Sequence, residues 1–267
     1  MGAINKALLE NVLENSSHSW QQELSLLARH NVYFETRLAD RPSILEAAHH
    51  LRYQVYCLER KFENPNEHST GLESDQYDSH AIQGVLFHRP TDRPIGTVRM
   101  ILPADCAADG LPIEQLLREN GFDLSDFVDI PNSVEVSRFA ISKEFRRRKV
   151  ESGSFSDAEV KRERHGNLPC LGLIQMLLRQ SVELGIEYWA AVMEPQLLRM
   201  LALMGIRFQP IGPLVSYHGL RQPSFCHLPV MVRNMALTKP ESWAVVTNNG
   251  ELMPARMDAA AELRQVA

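Results

Sequence analysis

The order of the strand-like and helix-like segments constrains the fold of this chain most. From residue 32 onwards, hydrophobic patterning and turn residues predict the order β-α-β-β-(α)-β-α-β-α-β-β. Helical crossovers therefore alternate with hairpins such as the turn-rich connection at Arg89–Pro94. This alternation predicts an α/β fold with one mixed sheet and helices on both of its faces.

Each segment is bounded by residues that start or stop regular structure. The strands are expected at Val32–Leu38, Ala81–His88, Ile95–Leu102, Ser133–Ser142, Tyr188–Met193, Phe208–Tyr217 and Cys226–Val232. Helices are expected from Ser43, at Pro112–Glu119, at Leu168–Leu184 and from Pro195 to Met204. Ser43 and Glu46 have the spacing of a capping box, and Gly185 lies where a helix C-cap belongs. The buried stripe of the first of these helices is predicted to comprise Ile44, Ala48, Leu51, Val55 and Leu58.

The 267 residues, 44% of them hydrophobic and 23% charged, have the composition of a globular protein. We expect one enlarged domain at residues 31–236, a helical extension at 1–30 and a helical tail at 237–267. Apolar runs are too short to span a bilayer, and Met1–Asn15 is not a signal peptide. Peripheral membrane contact is left open. The four cysteines lie far apart and are predicted to be reduced thiols, which indicates a cytoplasmic protein; the cysteines are Cys57, Cys106, Cys170 and Cys226. No histidine pattern indicates a metal site.

The net charge of −5 disfavours a dedicated nucleic-acid-binding protein. The charge is uneven, because Lys143–His165 contains eight Lys or Arg residues against five acidic ones. A basic segment on an acidic protein indicates a polyanionic partner at one place. A merely solvated loop is the alternative.

Charged residues also occur in segments that should be buried. Arg52 adjoins the buried helix stripe, and Arg99 lies in a predicted strand. Because buried charges need partners, we expect Asp75 and Asp78 to pair with these arginines. The alternative is that such a network only pins the loop to the sheet.

Five motifs in order resemble the acyl-homoserine-lactone (autoinducer) synthases and the related N-acyl amino acid synthases, a branch of the GNAT acyltransferases. The motifs are L-R-x-x-V-Y at Leu51–Tyr56, the aromatic Phe62, E-S-D-x-Y-D at Glu73–Asp78, G-T-V-R at Gly96–Arg99 and E-V-S-R-F-A at Glu135–Ala140. The chain resembles the exosortase-associated (PEP-CTERM system) acyltransferases still more closely, at Tyr33–Glu35, Leu51–Cys57 and Ser137–Arg148. The resemblance spans about Val32 to Val232.

The resemblance implies a three-layer αβα fold whose two parallel central strands, Val134–Ser142 and Tyr188–Met193, splay apart. The pantetheine arm of an acyl donor would lie in the gap like an added strand. The superfamily's pyrophosphate loop, Q/R-x-x-G-x-G/A, is only partly matched, because a start at Arg148 meets only the second glycine, Gly153. That departure favours a phosphopantetheine arm on acidic acyl-carrier protein, which could dock on Lys143–His165.

The resemblance also assigns roles to residues. It implies Glu135 as the general base, acting through a water, with Arg138 as the second catalytic residue. The alternative, an ion pair between these two, would need a bulge, because positions three apart on a regular strand point to opposite faces. No nucleophile is needed, so we assign Cys57 and Cys170 no covalent role.

Three further groups of residues are implied. The acceptor pocket and its lid would comprise Arg52, Phe62, Asp75, Asp78 and Arg99. Donor-binding residues would be Phe139, Ala140, Ile141, Arg146, Arg147 and Arg148, with backbone N–H groups near Ala140 and Ile141 as oxyanion donors. The acyl pocket would use Met176, Trp189 and Met193, although a methionine is more often plain core. Lactone synthases typically have Trp where Phe62 stands, so an amino acid or another small amine stays open beside S-adenosylmethionine.

The implied activity is transfer of a long-chain acyl group from acyl-carrier protein or acyl-CoA to a small amine. The expected partners are acyl-carrier protein and the amine, with no tightly bound cofactor. Two alternatives are a non-catalytic lipid- or carrier-binding module and an acetyl-CoA-dependent N-acetyltransferase. The incomplete phosphate loop motivates the first of them.

Overall fold

The computed structural model describes residues 25–103, 110–143, 145, 167–216 and 219–253. The helices in these ranges are α1 (Leu26–Tyr33), α2 (Pro42–Arg52), α3 (Pro112–Glu119), α4 (Leu168–Leu184), α5 (Pro195–Leu203), α6 (Leu228–Thr238) and α7 (Pro240–Val246). The strands are β1 (Phe34–Leu38), β2 (Ala81–His88), β3 (Arg93–Ile101), β4 (Ser133–Ile141), β5 (Tyr188–Met193), β6 (Gln209–Pro210), β7 (Val215–Ser216) and β8 (Leu220–His227). None of the described helices has the length and apolar character needed to cross a membrane.

These strands form one mixed sheet, which confirms the predicted fold class. The order across the sheet is β1-β2-β3-β4-β5-β8-β6, with β7 pairing separately with β8. β1 to β4 are successively antiparallel, whereas β4 and β5 are parallel because α4 lies between them in the chain. β8 then returns antiparallel to β5.

The two central strands separate after a short pairing. The parallel ladder joins Ser133 to Tyr188, Val134 to Trp189 and Glu135 to Ala190, and it ends there. Both strands continue beyond this point, β4 to Ile141 and β5 to Met193. The expected splay between parallel central strands is therefore present.

Helices cover both faces of the sheet. On one face α4 packs against alternate strand residues, among them Val98, Val136 and Trp189. On the other face α2 packs against Val85 and Phe87. β5 is buried on both sides, as its apolar sequence predicts, since Trp189 and Ala190 belong to different core clusters.

Both ends of the first predicted strand–helix unit differ from the sequence prediction. Val32 and Tyr33 are helical, because Ser25 caps α1 by accepting the Ala28 N–H at 3.2 Å and the helix continues to Tyr33. α2 begins at Pro42, so Ser43 lies inside the helix, and its N-cap makes no side-chain hydrogen bond. The capping box predicted from Ser43 is thus wrong, since proline fits the first helical turn without its missing N–H.

The predicted buried stripe of α2 is correct up to Val55 and then fails. The backbone from Tyr53 to Glu59 is a π-helix, in which the Arg60 N–H bonds to the Val55 carbonyl at 2.9 Å. A π-helical turn contains more residues than an α-helical turn, so residues at α-helical spacing no longer lie on the same face. Leu58, predicted on the buried stripe, is consequently 54% exposed.

The last predicted strands are also corrected. Phe208–Tyr217 contributes only the two-residue strands β6 and β7 to the described structure. Cys226–Val232 is mostly helix, because β8 ends at His227 and Pro229 occupies the first turn of α6, where it needs no N–H donor. In the described part of the predicted tail, Val245 and Val246 are fully buried in the main core.

Gly172 allows α1 to approach α4 closely. A Cβ at this position would lie 2.7 Å from His30 Nε2 and 2.9 Å from Leu86 Cδ1. We expect Gly172→Ala to lower the free energy of unfolding by about 1–2 kcal/mol, although helix propensity alone favours alanine by about 1 kcal/mol. Urea denaturation with a double-mutant cycle that adds His30→Ala measures the effect. An equal cost of Gly172→Ala in the wild-type protein and in the His30→Ala variant would contradict the steric account.

Candidate active site

A cavity of about 870 Å³ lies where β4 and β5 separate. Its walls come from both strands, from the π-helical segment Tyr53–Glu59 and the loop after it, and from the first turns of α4 and α5. The apolar part of the wall includes Phe145, Pro169, Leu197 and Met200. The polar part includes Asp75, Arg99, Glu135, Ser137 and Arg138. One cavity therefore has both apolar and charged walls, and we call the part lined by each group its apolar end and its charged end.

Glu135 lines this cavity at the last residue of the parallel ladder. Its side chain is buried, and Oε2 accepts the N–H of Ile113 in the first turn of α3 at 2.7 Å. Burial raises the pKa of Glu135 to about 7, and the Ile113 hydrogen bond opposes that rise only in part. A carboxyl group with this pKa accepts a proton readily near neutral pH.

Arg138 occupies a bulge that breaks the alternation of β4. Thr97 pairs with Ala140 and Arg99 with Ser137, so β4 contains one residue more than β3 between these pairs. Arg138 has φ +50°, a left-handed backbone conformation that is rare outside glycine. The bulge turns Arg138 away from the face of Val134 and Val136, contrary to the regular alternation that the sequence predicts.

The bulge does not pair Arg138 with Glu135. The Arg138 guanidinium contacts Glu73 Oε1 at 2.9 Å, Asp75 Oδ2 at 3.1 Å and Glu63 Oε1 at 3.3 Å. Its Cζ also lies 5.2 Å from the centre of the Tyr56 ring. Glu135 is thus kept separate from the arginine that was the alternative partner.

A buried network of arginines and carboxylates lies behind the charged end of the cavity. Arg52 has no exposed surface and contacts Glu73 through Nε and through Nη2, the latter at 3.0 Å. Arg52 Nη1 contacts Asp78 at 2.7 Å, while Arg99 Nη1 contacts Asp75 at 2.6 Å and Asp78 at 2.7 Å. The predicted pairing of Asp75 and Asp78 with these arginines is confirmed.

Two carboxylates in this network, Glu73 and Asp78, are held ionised. Burial alone would raise the pKa of Glu73, but hydrogen bonds from Arg52 and Arg138 outweigh it and lower the pKa to about 2. The pKa of Asp78 is likewise lowered, since Arg52 and Arg99 outweigh its burial. The charges of Glu73 and Asp78 are therefore fixed near neutral pH, whereas Glu135 titrates there.

Glu73 is one of the residues of this site that the sequence analysis missed. It is fully buried and joins Arg52 to Arg138. It belongs to the Glu73–Asp78 motif, but the sequence assigned it no role. The signal available in the sequence was charge balance, because three candidate buried arginines need more than two aspartates.

The other predicted site residues divide into three groups. Five of them line the cavity together with the residues described above; they are Phe62, Phe139, Ala140, Ile141 and Met193. Met176 and Trp189 lie in the core instead: Met176 packs next to Gly84 of β2, and the Trp189 indole N–H donates to Ser181 Oγ at 2.8 Å. Arg146, Arg147 and Arg148 lie outside the described residues.

Three of the cysteines are described, and all three are free and buried. Burial raises the pKa of Cys57 to about 11 and those of Cys170 and Cys226 to about 12. Such thiols are poor nucleophiles at neutral pH. Cys106 lies outside the described residues, and in the rest no three potential metal ligands come together.

Residues 51–155 match the sequence model of the acetyltransferase (GNAT) domain. The chain has a GNAT-like fold. TofI, in a ternary complex with an inhibitor and MTA, is 16% identical, with 78% of this chain and 99% of TofI covered and a TM-score of 0.53. BjaI, a CoA-dependent acyl-homoserine lactone synthase solved with SAM and isopentyl-CoA, is 17% identical, with coverages of 84% and 86% and a TM-score of 0.51.

A third similar structure is FeeM, an N-acyl amino acid synthase from uncultured soil microbes, which is 17% identical. The likeness covers 77% of this chain and 97% of FeeM, with a TM-score of 0.47. None of the curated proteins matches the chain in sequence. The splay between β4 and β5, which the resemblance implies, therefore occurs in a chain with a GNAT-like fold.

Proposed function

We propose that the protein is an N-acyltransferase that moves an acyl group from a pantetheine thioester to a small primary amine. The observation that carries this proposal is Glu135, a buried carboxyl with a pKa of about 7 in the cavity between the splayed strands. General-base catalysis favours a group whose pKa lies near the working pH. Strongly shifted pKa values such as this one cluster at functional sites, where the carboxyl group takes up or releases a proton.

The chemistry needs one proton acceptor and no covalent enzyme intermediate. The amine nitrogen attacks the thioester carbonyl carbon, so a C–N bond forms and the C–S bond breaks. Glu135, directly or through a water, takes the proton from the nitrogen, and the departing pantetheine sulfur receives it. Backbone N–H groups near Ala140 and Ile141 are the proposed donors to the oxyanion.

The donor's pantetheine arm is proposed to occupy the gap beyond Glu135, next to Phe139, Ala140 and Ile141. Extended ligands bind beside a strand that has lost its neighbour by using its main chain, as an added strand would. Three arginines that come shortly after Ile141 in the sequence are proposed to bind the donor's phosphate; they are Arg146, Arg147 and Arg148.

Acyl-carrier protein is the proposed source of the acyl group. The basic segment Lys143–His165 and the incomplete glycine pattern at Arg148–Gly153 support an acidic carrier over free CoA. The apolar cavity end, with Phe145, Leu197 and Met200, supports a long acyl chain. Met193 stays in this proposed pocket, whereas Met176 and Trp189 would act only as core packed behind it.

The acceptor is proposed to bind at the charged end of the cavity. Arg99 and Asp75 line this end, while Arg52 and Asp78 support them from behind. Phe62 lines the cavity, with its ring centre 6.4 Å from that of Tyr56. BjaI was solved with SAM, but the smaller aromatic here leaves an amino acid as good a candidate.

The finer family assignment is also part of the proposal. The motifs at Tyr33–Glu35, Leu51–Cys57 and Ser137–Arg148 support a role beside an exosortase sorting system. The free state of Cys57, Cys170 and Cys226 supports a cytoplasmic location.

The test is a product screen with the full-length protein. Acyl-carrier-protein and CoA thioesters of long chains, with acetyl-CoA for comparison, are incubated with amino acids, S-adenosylmethionine and simple amines. We expect mass spectrometry to detect a long-chain N-acyl product with carrier-bound donors. Absence of any acylated amine would contradict the proposal, and turnover with acetyl-CoA alone would contradict the long-chain donor.

A further inference from the structure

A second charged cluster, distinct from the buried network, lies at the same cavity. It comprises Arg60, Phe62, Glu194 and Arg221, all of which line the cavity wall. Arg60 follows the π-helical segment, whereas Glu194 follows β5 and Arg221 lies in β8. The cluster therefore spans the gap, joining the helical side to the β5–β8 side.

The geometry centres on the Phe62 ring. The guanidinium carbons of Arg60 and Arg221 lie 5.9 Å and 5.0 Å from its centre. Glu194 contacts both arginines, Arg221 at 3.2 Å and Arg60 at 3.7 Å. Arg221 is largely buried, with 11% of its side chain exposed. A guanidinium stacked on an aromatic ring and bound by a carboxylate is held in a fixed orientation.

The charges in this cluster do not balance. Two guanidinium groups face one carboxylate, which leaves one positive charge at the cavity wall. Among the described residues, Arg221 uses only Nη1 for its partners, which are Glu194 and the Leu220 carbonyl. Its Nε and Nη2 are two donors in a fixed fork, the arrangement that binds a carboxylate in two-point fashion.

The buried network at the charged end, described above, has the opposite sign. There, three arginines face four carboxylates; the arginines are Arg52, Arg99 and Arg138, and the carboxylates are Glu63, Glu73, Asp75 and Asp78. Glu135, a buried carboxyl whose pKa burial raises to about 7, lines the same cavity. An ammonium group is therefore favoured on this side, and an anionic group on the side of Arg221.

We propose that the acceptor is an amine that carries a carboxylate, as an amino acid does, and that Arg221 with Arg60 binds that carboxylate. This inference rests on the proposed acyl transfer and adds the residues that bind the carboxylate of the acceptor and so determine acceptor specificity. In the bound acceptor, the amino group would lie toward Glu135 and Asp75. Glu194 would hold Arg221 in place and also moderate its attraction for anions.

The experiment compares amino acids of increasing amine–carboxylate spacing with their methyl esters and with the matching carboxylate-free amines. Each acceptor is assayed with wild-type protein, Arg221→Gln, Arg221→Lys and Glu194→Gln. Arg37→Gln is the matched control, because Arg37 also contacts two carboxylates, Glu35 and Asp92, but lies outside the cavity wall.

We expect wild-type kcat/KM to be at least about tenfold higher for one of the amino acids than for its ester. Arg221→Gln should remove this preference by raising KM for the amino acid far more than KM for the carboxylate-free amine or KM for the donor. Arg221→Lys should restore part of the preference. Glu194→Gln should lower KM for the amino acid, an effect that simple loss of structure would not produce.

Equal use of amino acids and their esters by the wild-type protein would overturn the inference and leave acyl transfer intact. A rise in donor KM in Arg221→Gln, with acceptor preference unchanged, would also overturn it, because the arginines would then bind the donor's phosphate. No acylated product from any amine would contradict the proposed function itself, and the inference with it.

Discussion

Replacing Glu135 by glutamine is expected to lower kcat by about 10²–10⁴-fold, the range typical of a lost general base. Glutamine keeps the size of the side chain and still accepts the Ile113 N–H, but it cannot take a proton from the amine. Steady-state kinetics with the donor and acceptor found in the product screen measures the loss. Glu35→Gln is the control, because Glu35 pairs with Arg37 and Arg89 outside the cavity wall and should leave kcat unchanged.

The same substitution should make the protein more stable above pH 7, which separates loss of function from loss of structure. The pKa of Glu135 rises from its ordinary 4.5 to about 7 on folding, so the folded state binds more protons between these values. The ionised carboxylate therefore destabilises the fold progressively as pH rises through this window. Glutamine mimics the neutral acid and should raise the free energy of unfolding at about pH 8 by up to about 3 kcal/mol.

Urea denaturation at about pH 5 and about pH 8 checks this effect. The stabilisation by Glu135→Gln should be small at the lower pH and largest at the higher one. A substitution that destabilises the protein at both pH values would show that Glu135 serves the fold and is not an isolated buried acid.

Replacing Glu73 by glutamine should have the largest effect on stability, a loss of about 3–5 kcal/mol in the free energy of unfolding. Glu73 bonds to both Arg52 and Arg138, so its charge compensates two guanidinium groups in the interior. Without it, Arg52 in particular stays fully buried with Asp78 as its remaining close carboxylate. Removing one partner of a buried ion pair costs far more than the pair contributes when intact.

Glu63→Gln is the matched control for Glu73→Gln. Glu63 contacts the same Arg138, at 3.3 Å, but its side chain is 22% exposed and makes no contact with Arg52. We expect it to cost less than about 1 kcal/mol, as exposed ion pairs do. Equal costs for the two substitutions would show that burial of the network does not determine its importance.

Acid should weaken wild-type protein through the same residue. The pKa of Glu73 is lowered to about 2 by its arginines, so the ionised form stabilises the fold above its ordinary pKa of 4.5. This contribution is lost as pH falls from about 4.5 toward 2. The loss should be absent in Glu73→Gln, whose stability already lacks it.

Much of the buried network followed from the sequence because charge must be compensated away from water. Arg52 and Arg99 stood in apolar segments, and Asp75 and Asp78 were the carboxylates in reach along the chain. The structure brings all four together. The strands and helices of the sheet followed in the same way from alternation and helical spacing, with β5 the clearest case.

The features that the sequence did not predict depend on departures from regular backbone geometry. The π-helix at Tyr53–Glu59 rotates Leu58 out of the buried stripe, and no residue in that segment marks the change. The bulge at Arg138 turns a strand residue to the other face. Its tertiary cause, the pairing of Arg138 with Glu73 and Asp75, involves residues more than sixty positions away.

The placement of Met176 and Trp189 failed for a related reason. Both lie in segments that are apolar all round, so the sequence does not distinguish the face toward the core from the face toward the cavity. The cavity wall in α4 is confined to its first turn, at Pro169 and Cys170, before the helix enters the core.

The most direct test of the central claim is the pH dependence of catalysis by wild-type protein and Glu135→Gln. The wild-type kcat/KM is divided by that of Glu135→Gln at each pH from about 5.5 to about 8.5. This ratio cancels the titration of the acceptor amine, which affects both enzymes equally. If Glu135 is the base, this ratio should rise about tenfold per pH unit at low pH and level off above about 7, the pKa of the buried carboxyl. A ratio that is constant across this range would show that Glu135 does not accept the proton and would contradict the account.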